Sequence, residues 1–178
     1  MIDIEETHLN GVVVVKPNVI IDERGFFLES FNENLFNEIL KGKKFVQDNH
    51  SKSKKNVLRG LHFQKENPQG KLVRCISGEI FDVAVDITPE SDTFGKYFSI
   101  NLSSNNFRQL WIPEGFAHGF CVLSDYAEVE YKCTDFYDPH DQFGIIWNDK
   151  SLDIDWPISD PILSHKDLEN KKFMELIF

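Results

Sequence analysis

Short strand-like segments recur through the middle of the chain, and their spacing limits the folds that are open to it. These segments are rich in β-branched and aromatic residues and span 71–76, 79–87, 97–102, 108–112, 119–123 and 127–133. Short strands that repeat every ~8–12 residues, with turn residues between them, are typical of antiparallel sandwiches and barrels. The sequence therefore predicts a mainly β fold with few helices.

The first half adds strands and one helix. The run 12–15 is four valines and the run 19–21 is also apolar, so we expect these segments to form paired strands. Apolar residues at helical spacing predict a helix over 32–41, which Gly42 ends. The polar stretch 51–56 and its lysines indicate an exposed turn.

A hairpin is expected further along the chain. The segments 71–76 and 79–87 are joined by Ser77 and Gly78, which favour a tight turn. Alternation along the second segment places Asp82 and Asp86 on the face opposite to its apolar residues. The core candidates of the two segments are Leu72, Ile76, Phe81, Val83 and Val85. A short helix is expected near 163–168.

Length and charge restrict the class of protein. The 178 residues fit a single domain, 1–178, and 41% of them are hydrophobic, which supplies a core without metal or disulfide support. The net charge of −10 argues against nucleic-acid binding, so an anionic ligand would need a local basic pocket. No apolar run is long enough to span a membrane. The first residues do not resemble a signal peptide, and we expect a cytoplasmic protein.

The three cysteines indicate buried thiols. Cys75, Cys121 and Cys133 are widely spaced and each lies inside an apolar strand-like segment. An odd number at such spacing fits neither a disulfide framework nor a Cys-x-x-Cys metal clip. We expect all three to be reduced.

The stretch 57–64 sets His62 in an apolar run, with Arg59 three residues earlier and the basic residues Lys71 and Arg74 close behind. A lone histidine in an apolar run is more often a hydrogen-bonded core residue than a catalyst. A histidine in an apolar slot beside fixed cations is, however, suited to removing a weakly acidic proton from an anionic substrate. Strict alternation puts Arg59 and His62 on opposite faces, so both reach one ligand only if the strand is bulged, and Gly60 favours a bulge there.

Two further stretches carry chemistry. The turn 112–120 places His118 at the start of a strand, a position that binds a metal in many cupins, but His62 lacks the second histidine that usually accompanies it. Metal sites need three or four ligands in register, so we interpret His118 as a neutral hydrogen-bonding residue. Alternation along 128–133 points Tyr131 inward, toward the core or a cavity, and Tyr137 follows near a strand end as a rim or stacking aromatic.

These motifs together resemble the dTDP-4-dehydrorhamnose 3,5-epimerases, which have a cupin-type antiparallel β-barrel or jelly-roll fold. The matching segments cover most of the chain and follow in the same order: 22–25, 46–51, 58–64, 70–74, 82–86, 112–120, 131–134 and 147–149. The resemblance implies inversion of carbons 3 and 5 of dTDP-4-dehydro-6-deoxy-D-glucose without a cofactor or metal. It also implies a homodimer that exchanges N-terminal strands.

The resemblance assigns roles by matching position. It makes His62 the base, Asp167 its carboxylate partner, Tyr131 the acid and Lys71 the cation at the substrate carbonyl. The substrate ligands that it implies are Arg24, Glu29, Gln47, Asn49, Arg59, His118, Tyr137 and Gln142. Relatives usually carry Glu where this chain has Gln142, which concerns a nucleotide-side contact.

The sequence leaves alternative functions open. One is an epimerase that acts at carbon 3 alone or on a related dTDP- or GDP-linked keto sugar. The others are a metal-dependent cupin oxygenase, a cupin ketoisomerase and a sugar-binding cupin without catalysis. His62, Tyr131 and Asp167 together argue against the non-catalytic alternative.

Overall fold

The computed structural model describes residues 2–176, and strands make up most of its regular structure. In chain order the strands are β1 (Ile2–Glu6), β2 (Val13–Pro17), β3 (Val19–Asp22), β4 (Gly25–Leu28), β5 (Gln47–Lys54), β6 (Leu58–Gln64), β7 (Lys71–Ser77), β8 (Glu79–Asp86), β9 (Tyr97–Ser103), β10 (Gln109–Ile112), β11 (Phe116–Val122), β12 (Tyr126–Cys133) and β13 (Gln142–Gly144). The helices are α1 (Glu33–Leu40) and α2 (His165–Leu168), and a short 3-10 helix spans Phe173–Glu175. None of the helices formed by residues 2–176 has the length and apolar character needed to cross a membrane.

Two antiparallel sheets face each other as in a jelly roll. The first has the order β1-β2-β10-β7-β12-β5, and the second has the order β13-β6-β11-β8-β9. The strands β3 and β4 form a separate two-stranded hairpin. The prediction of a mainly β, antiparallel fold of the cupin type is confirmed, with two sheets that do not close into a continuous barrel.

The main core lies between the two sheets. Alternate residues of each strand point into this space, among them Val14, Val73 and Leu110 from the first sheet and Ile80 and Val122 from the second, all at most 2% exposed. Burying this apolar surface contributes roughly 25 cal/mol per Å² of area removed from water. The core between the sheets is therefore built from one of the two alternating sets of side chains on each strand.

The outward faces are covered by helices and by the C-terminal segment. Helix α1 packs Phe36 and Leu40 against Val13, Val15 and Trp111 on the outside of the first sheet. Its N-cap is Asn32, whose side chain accepts a hydrogen bond from the backbone N–H of residue 34, and the left-handed residue 41 ends it. The predicted helix is confirmed. The C-terminal segment covers the outside of the second sheet through Ile145, Leu152 and Phe173.

Three local predictions were wrong because strand partners that are distant in sequence decide these segments. Strand β2 pairs with β1 and β10, and β3 pairs with β4, so the two apolar segments at the start do not pair with each other. Residues 51–54 of the expected turn 51–56 belong instead to strand β5, which pairs with β12 along its full length.

The third is the hairpin expected over 71–87. Strand β7 lies in the first sheet and β8 in the second, so Gly78 marks a crossing between sheets and not a hairpin turn. Gly78 has φ +78°, and a Cβ there would come within 2.2 Å of the Tyr126 carbonyl oxygen. Of the predicted core residues, Leu72, Val83 and Val85 are buried, whereas Ile76 and Phe81 are only half-buried.

The three cysteines are buried and unpaired, as predicted. Burial raises the pKa of Cys75 and of Cys133 to about 11 and that of Cys121 to about 12. All three are therefore protonated and weakly reactive at neutral pH.

Candidate active site

A cavity of about 540 Å³ opens between the two sheets, and it gathers most of the residues that the sequence singled out. The first sheet supplies its lining from β5, β7 and β12, and the second supplies it from β6 and β11. Ten of the predicted site residues line it: Gln47, Asn49, Arg59, His62, Lys71, His118, Tyr131, Tyr137, Gln142 and Asp167. Roughly 300–1,000 Å³ is the usual size of a small-molecule site.

A histidine–carboxylate pair stands at the centre of this cavity. The His62 Nε2 atom lies 2.5 Å from Oδ1 of Asp167, which is 105 residues away in sequence. The second carboxylate oxygen of Asp167 accepts a hydrogen bond from the Ser164 hydroxyl at 2.7 Å, and Ser164 is also the N-cap of α2. Asp167 is 3% exposed, and its partners hold it in one orientation.

The charge of Asp167 is maintained by these contacts. Burial by itself raises the pKa of Asp167, but the hydrogen bond and charge of His62, together with Ser164 and the Gly60 backbone, outweigh burial and lower it below its usual range. An ionised carboxylate can only accept hydrogen bonds, so His62 donates its Nε2 proton and keeps Nδ1 as the basic nitrogen.

A bulge in β6 brings Arg59 and His62 to the same face. His62 pairs with His118, and Arg59 pairs with Phe120, so three steps along β6 match two steps along β11. Gly60 lies within this irregularity with φ +118°, and a Cβ on it would come within 2.6 Å of the Gly119 Cα. The predicted bulge at Gly60 is confirmed, and it places a guanidinium and an imidazole at one cavity.

Lys71 and Tyr131 face His62 from the opposite sheet. The Lys71 ammonium lies 3.3 Å from the His62 carbonyl oxygen, and Lys71 is 8% exposed. Burial lowers the pKa of Lys71, and the nearby Cys133 and Asp82 partly offset this effect. Burial raises the pKa of Tyr131, so its hydroxyl keeps its proton at neutral pH. Tyr131 points inward as predicted, in register with Asn49 and Val73.

A second histidine–carboxylate pair lies beside the first. The His118 Nε2 atom is 2.8 Å from Oδ1 of Asp82, which has no exposed surface. His118 and His62 are cross-strand partners, so their rings are neighbours on one wall of the cavity.

Polar side chains surround the cavity mouth. Gln47 accepts a hydrogen bond from the Tyr137 backbone N–H at 2.8 Å and donates to the Asn49 side chain at 3.1 Å. Gln142 Oε1 accepts from the Tyr137 hydroxyl at 2.7 Å and from the Lys166 ammonium at 2.6 Å. Lys166 is therefore held by a neutral amide and keeps its charge available at the mouth.

Arg24 and Glu29 stand apart from the other predicted ligands. Neither belongs to the cavity lining formed by residues 2–176. Arg24 lies at the tip of the β3–β4 hairpin, where its exposed side chain pairs with Asp22. Glu29 follows the hairpin and is exposed.

The histidines do not assemble a cupin-like ligand set. His50 lies on the outer face of β5 and bonds Glu128 at 3.0 Å, away from His62 and His118. Within the described part of the chain, no group of three or more His, Cys, Asp and Glu side chains is arranged to hold a metal ion.

Sequence reasoning missed three residues that shape the site. Ser164 orients Asp167, Asp82 orients His118, and Lys166 adds a cation at the mouth. Within 163–168 the sequence predicts a short helix and assigns a role to Asp167 alone, and it places Asp82 on the face opposite to the predicted core residues. No local pattern predicts these contacts. The contacts of Asp82 and Lys166 join residues that are distant in sequence, and Ser164 looks like an ordinary helix N-cap.

The arrangement is suited to acid–base chemistry on a carbon acid. A basic imidazole stands on one wall, a protonated phenol stands on the other, and an ammonium lies close to the base. Arg59 in the lining, and Lys166 bound to Gln142 at the mouth, supply positive charge in a chain whose net charge is −10. The cavity can therefore bind an anionic substrate and move protons on both of its faces.

Comparison with known proteins identifies close relatives. The model of the dTDP-4-dehydrorhamnose 3,5-epimerase family matches residues 6–175. The chain is 58% identical to the dTDP-4-dehydrorhamnose 3,5-epimerase of Shigella flexneri over 172 residues, covering 96% of this chain and 95% of that protein. It is 59% identical to the enzyme of the same name from Salmonella typhimurium over 171 residues, covering 94% of this chain and 93% of that protein.

Solved structures agree with this result. The crystal structure of dTDP-6-deoxy-D-glucose-3,5-epimerase from Legionella pneumophila, in complex with dTDP-4-keto-L-rhamnose, superposes with a TM-score of 0.95 at 48% identity. The match covers 98% of this chain and 94% of that one.

Proposed function

The chain belongs to the dTDP-4-dehydrorhamnose 3,5-epimerase family, and on that basis we propose that it inverts carbons 3 and 5 of dTDP-4-dehydro-6-deoxy-D-glucose. The single observation that supports this most strongly is the His62–Asp167 pair on one wall of a cavity whose other wall carries Tyr131 and Lys71.

His62 removes the substrate protons. The hydrogens on carbons 3 and 5 are acidic because the carbonyl at carbon 4 can take up the charge as an enolate. His62 accepts each proton on Nδ1, since Nε2 is bound to Asp167 at 2.5 Å. Asp167 then stabilises the imidazolium that forms, and this lowers the cost of creating positive charge on the ring.

Lys71 stabilises the enolate oxygen. Its ammonium is already held beside His62 by the 3.3 Å contact to the His62 carbonyl oxygen, so Lys71 needs little rearrangement when negative charge develops on the substrate oxygen. A preorganised donor of this kind typically contributes about 10²- to 10³-fold in turnover.

Tyr131 returns a proton to the opposite face of the sugar. Its ring lies on the sheet that faces His62, and its raised pKa keeps the hydroxyl protonated until a carbanion or enolate requires it. Removal on one face and return on the other inverts the carbon. Arg59 and Lys166 bind the diphosphate, to which the planar guanidinium is well suited.

The apolar hairpin supports a homodimer. Ile20, Ile21, Phe26 and Phe27 lie on β3 and β4 and are between 57% and 74% exposed, which is a large apolar surface to leave in water. A second copy of the chain covers this surface by exchange of N-terminal strands. Arg24 on the hairpin then reaches the diphosphate site of the other copy.

The activity is tested by incubating the protein with dTDP-4-keto-6-deoxyglucose in heavy water. Deuterium at both carbons 3 and 5, together with an L-configured product, is the expected result. Uptake at carbon 3 alone would identify a monoepimerase. An absence of uptake at either carbon would contradict the proposal.

The exchange of strands is tested by mixing two inactive variants, Arg24→Ala and His62→Ala. If Arg24 acts in the other copy, each mixed dimer contains one site with both residues intact. Random mixing then restores about a quarter of the wild-type activity, because half of the dimers are mixed and half of their sites are intact. Activity that stays at the level of the separate variants would show that Arg24 acts within its own chain or not at all.

A further inference from the structure

The pair formed by Asp82 and His118 has no role in the steps described above. The His118 Nε2 atom lies 2.8 Å from Asp82 Oδ1, and the exposed fractions of the two side chains are 7% and 0%. Burying a carboxylate is costly, and apolar residues of similar volume often give equal or greater stability. The pair therefore requires a reason other than stability.

The contact fixes which nitrogen of His118 faces the cavity. A carboxylate only accepts hydrogen bonds, so His118 donates from Nε2, and of the two neutral tautomers this contact selects the one with its lone pair on Nδ1. His118 lines the cavity, and within residues 2–176 its Nδ1 atom has no hydrogen-bond partner. The free lone pair is thus available to a bound substrate.

Asp82 makes no other hydrogen bond that explains its presence. Its Oδ2 atom is buried without a partner among the described residues. Asp86 provides a contrast, since it lies on the same face of β8 and accepts hydrogen bonds from the Thr88 backbone and from Ser91 and Thr93. Asp86 holds a loop together, whereas Asp82 holds only His118.

We propose that Asp82 is a positioning residue for the epimerisation, which holds His118 so that Nδ1 accepts a hydrogen bond from a hydroxyl of the sugar ring. This inference rests on the proposed function and adds a residue to it. Because His118 and His62 are cross-strand partners, a hydroxyl bound to His118 sets the height and tilt of the ring over His62. The hydrogens on carbons 3 and 5 then point at the base.

The orientation of His118 is tested first in the free protein. Long-range ¹H–¹⁵N spectra of the imidazole report which nitrogen carries the proton. We expect His118 with a protonated Nε2 and an unprotonated Nδ1. The opposite tautomer would overturn the proposal, and this readout does not depend on enzymatic activity.

Kinetics test the effect on the reaction. Asp82→Leu removes the acceptor and keeps the volume, and we expect kcat to fall roughly 10- to 100-fold, the range for a misoriented substrate. KM should change little, because the nucleotide and diphosphate bind at the mouth. Asp82→Asn, whose side-chain carbonyl can still accept from Nε2, should recover part of the loss. An unchanged kcat in Asp82→Leu would overturn the proposal.

A double-mutant cycle with His118→Ala shows whether Asp82 acts through His118. If it does, Asp82→Leu lowers kcat at most about twofold in the His118→Ala background, since the effects of coupled residues are not additive. A decrease in kcat as large as in the wild-type background would refute the proposal.

Asp86→Asn is the matched control, which should lower Tm without changing kcat. If the wild-type protein takes up no deuterium, the proposed function fails, while the tautomer measurement still decides the orientation of His118.

Discussion

Replacing Tyr131 with phenylalanine should separate proton removal from inversion. The ring packs against the core between the sheets, and its hydroxyl makes no hydrogen bond to another residue within 2–176. Removing the hydroxyl therefore leaves no buried partner unsatisfied. We expect the free energy of unfolding to change by less than about 0.5 kcal/mol, as for a substitution that breaks no contact.

The catalytic effect should be much larger. A positioned general acid contributes about 10²- to 10⁴-fold, which corresponds to roughly 3–5 kcal/mol of activation free energy. Burial raises the pKa of Tyr131, and among residues 2–176 the only other phenol in the cavity lining is Tyr137 at the mouth. Formation of the inverted product in Tyr131→Phe should fall by that factor.

Exchange with solvent should continue in the same variant. His62 and Lys71 are intact, so the enolate still forms, and His62 returns a solvent-derived proton to the face from which it was taken. The assay is NMR of the sugar in heavy water, which follows deuterium at carbons 3 and 5 and the configuration of each carbon. His62→Ala should abolish deuterium uptake at both carbons.

Tyr126→Phe is the matched control. Tyr126 lies on the same strand as Tyr131, is 48% exposed and stacks with Lys52 outside the cavity, so its variant should behave like the wild-type protein. If Tyr131→Phe loses exchange and inversion equally, Tyr131 only positions the substrate, and the division of roles between Tyr131 and His62 is refuted.

Three further predictions concern the cation, the bulge and a buried carboxylate. Lys71→Met should lower kcat about 10²- to 10³-fold with a smaller change in KM, as measured by steady-state kinetics; a change confined to KM would assign Lys71 to binding alone. Gly60→Ala should destabilise the fold by roughly 2–4 kcal/mol in denaturant titrations, because φ is +118° and the new Cβ would lie 2.6 Å from the Gly119 Cα; an unchanged midpoint would show that β6 and β11 separate easily. Asp141 accepts backbone hydrogen bonds from residues 65–67, which outweigh burial and lower its pKa, so its stabilisation is present above about pH 4 and is lost as pH falls through the lower folded pKa. Asp141→Asn should therefore reduce Tm more at pH 7 than at pH 3, and an equal reduction at both would mean that the charge is irrelevant.

Local sequence patterns predicted most of the strands and the longer helix. Period-two alternation located most strands, and it predicted the inward direction of Tyr131 correctly. It separated Asp82 from Phe81, Val83 and Val85 correctly, but it took the face of those three residues as the core face, whereas Asp82 lies on the face of β8 that is turned toward the other sheet. Helical spacing and Asn32 predicted α1. These features depend on interactions within a few residues, which is why they can be recognised without a structure.

The pairing of strands required the tertiary structure. Ser77 and Gly78 look like a hairpin turn, but β7 and β8 lie in different sheets, because each finds its partners far along the chain. The same holds for β5. Its polar sequence is typical of a loop, but the segment forms a strand because it pairs with β12. Alternation states which side chains share a face but does not state which strands are neighbours.

The candidate site also divides into features that the sequence indicates and features that only the tertiary structure shows. The sequence alone indicated His62 and Tyr131 as candidates, and the possibility of a bulge at Gly60. Only the fold brought Asp167 to His62 across 105 residues, set His118 on Asp82 and placed Lys166 at the mouth. A side chain's chemistry is local, but its reactivity depends on partners that long-range packing selects, and no spacing in the sequence encodes that distance.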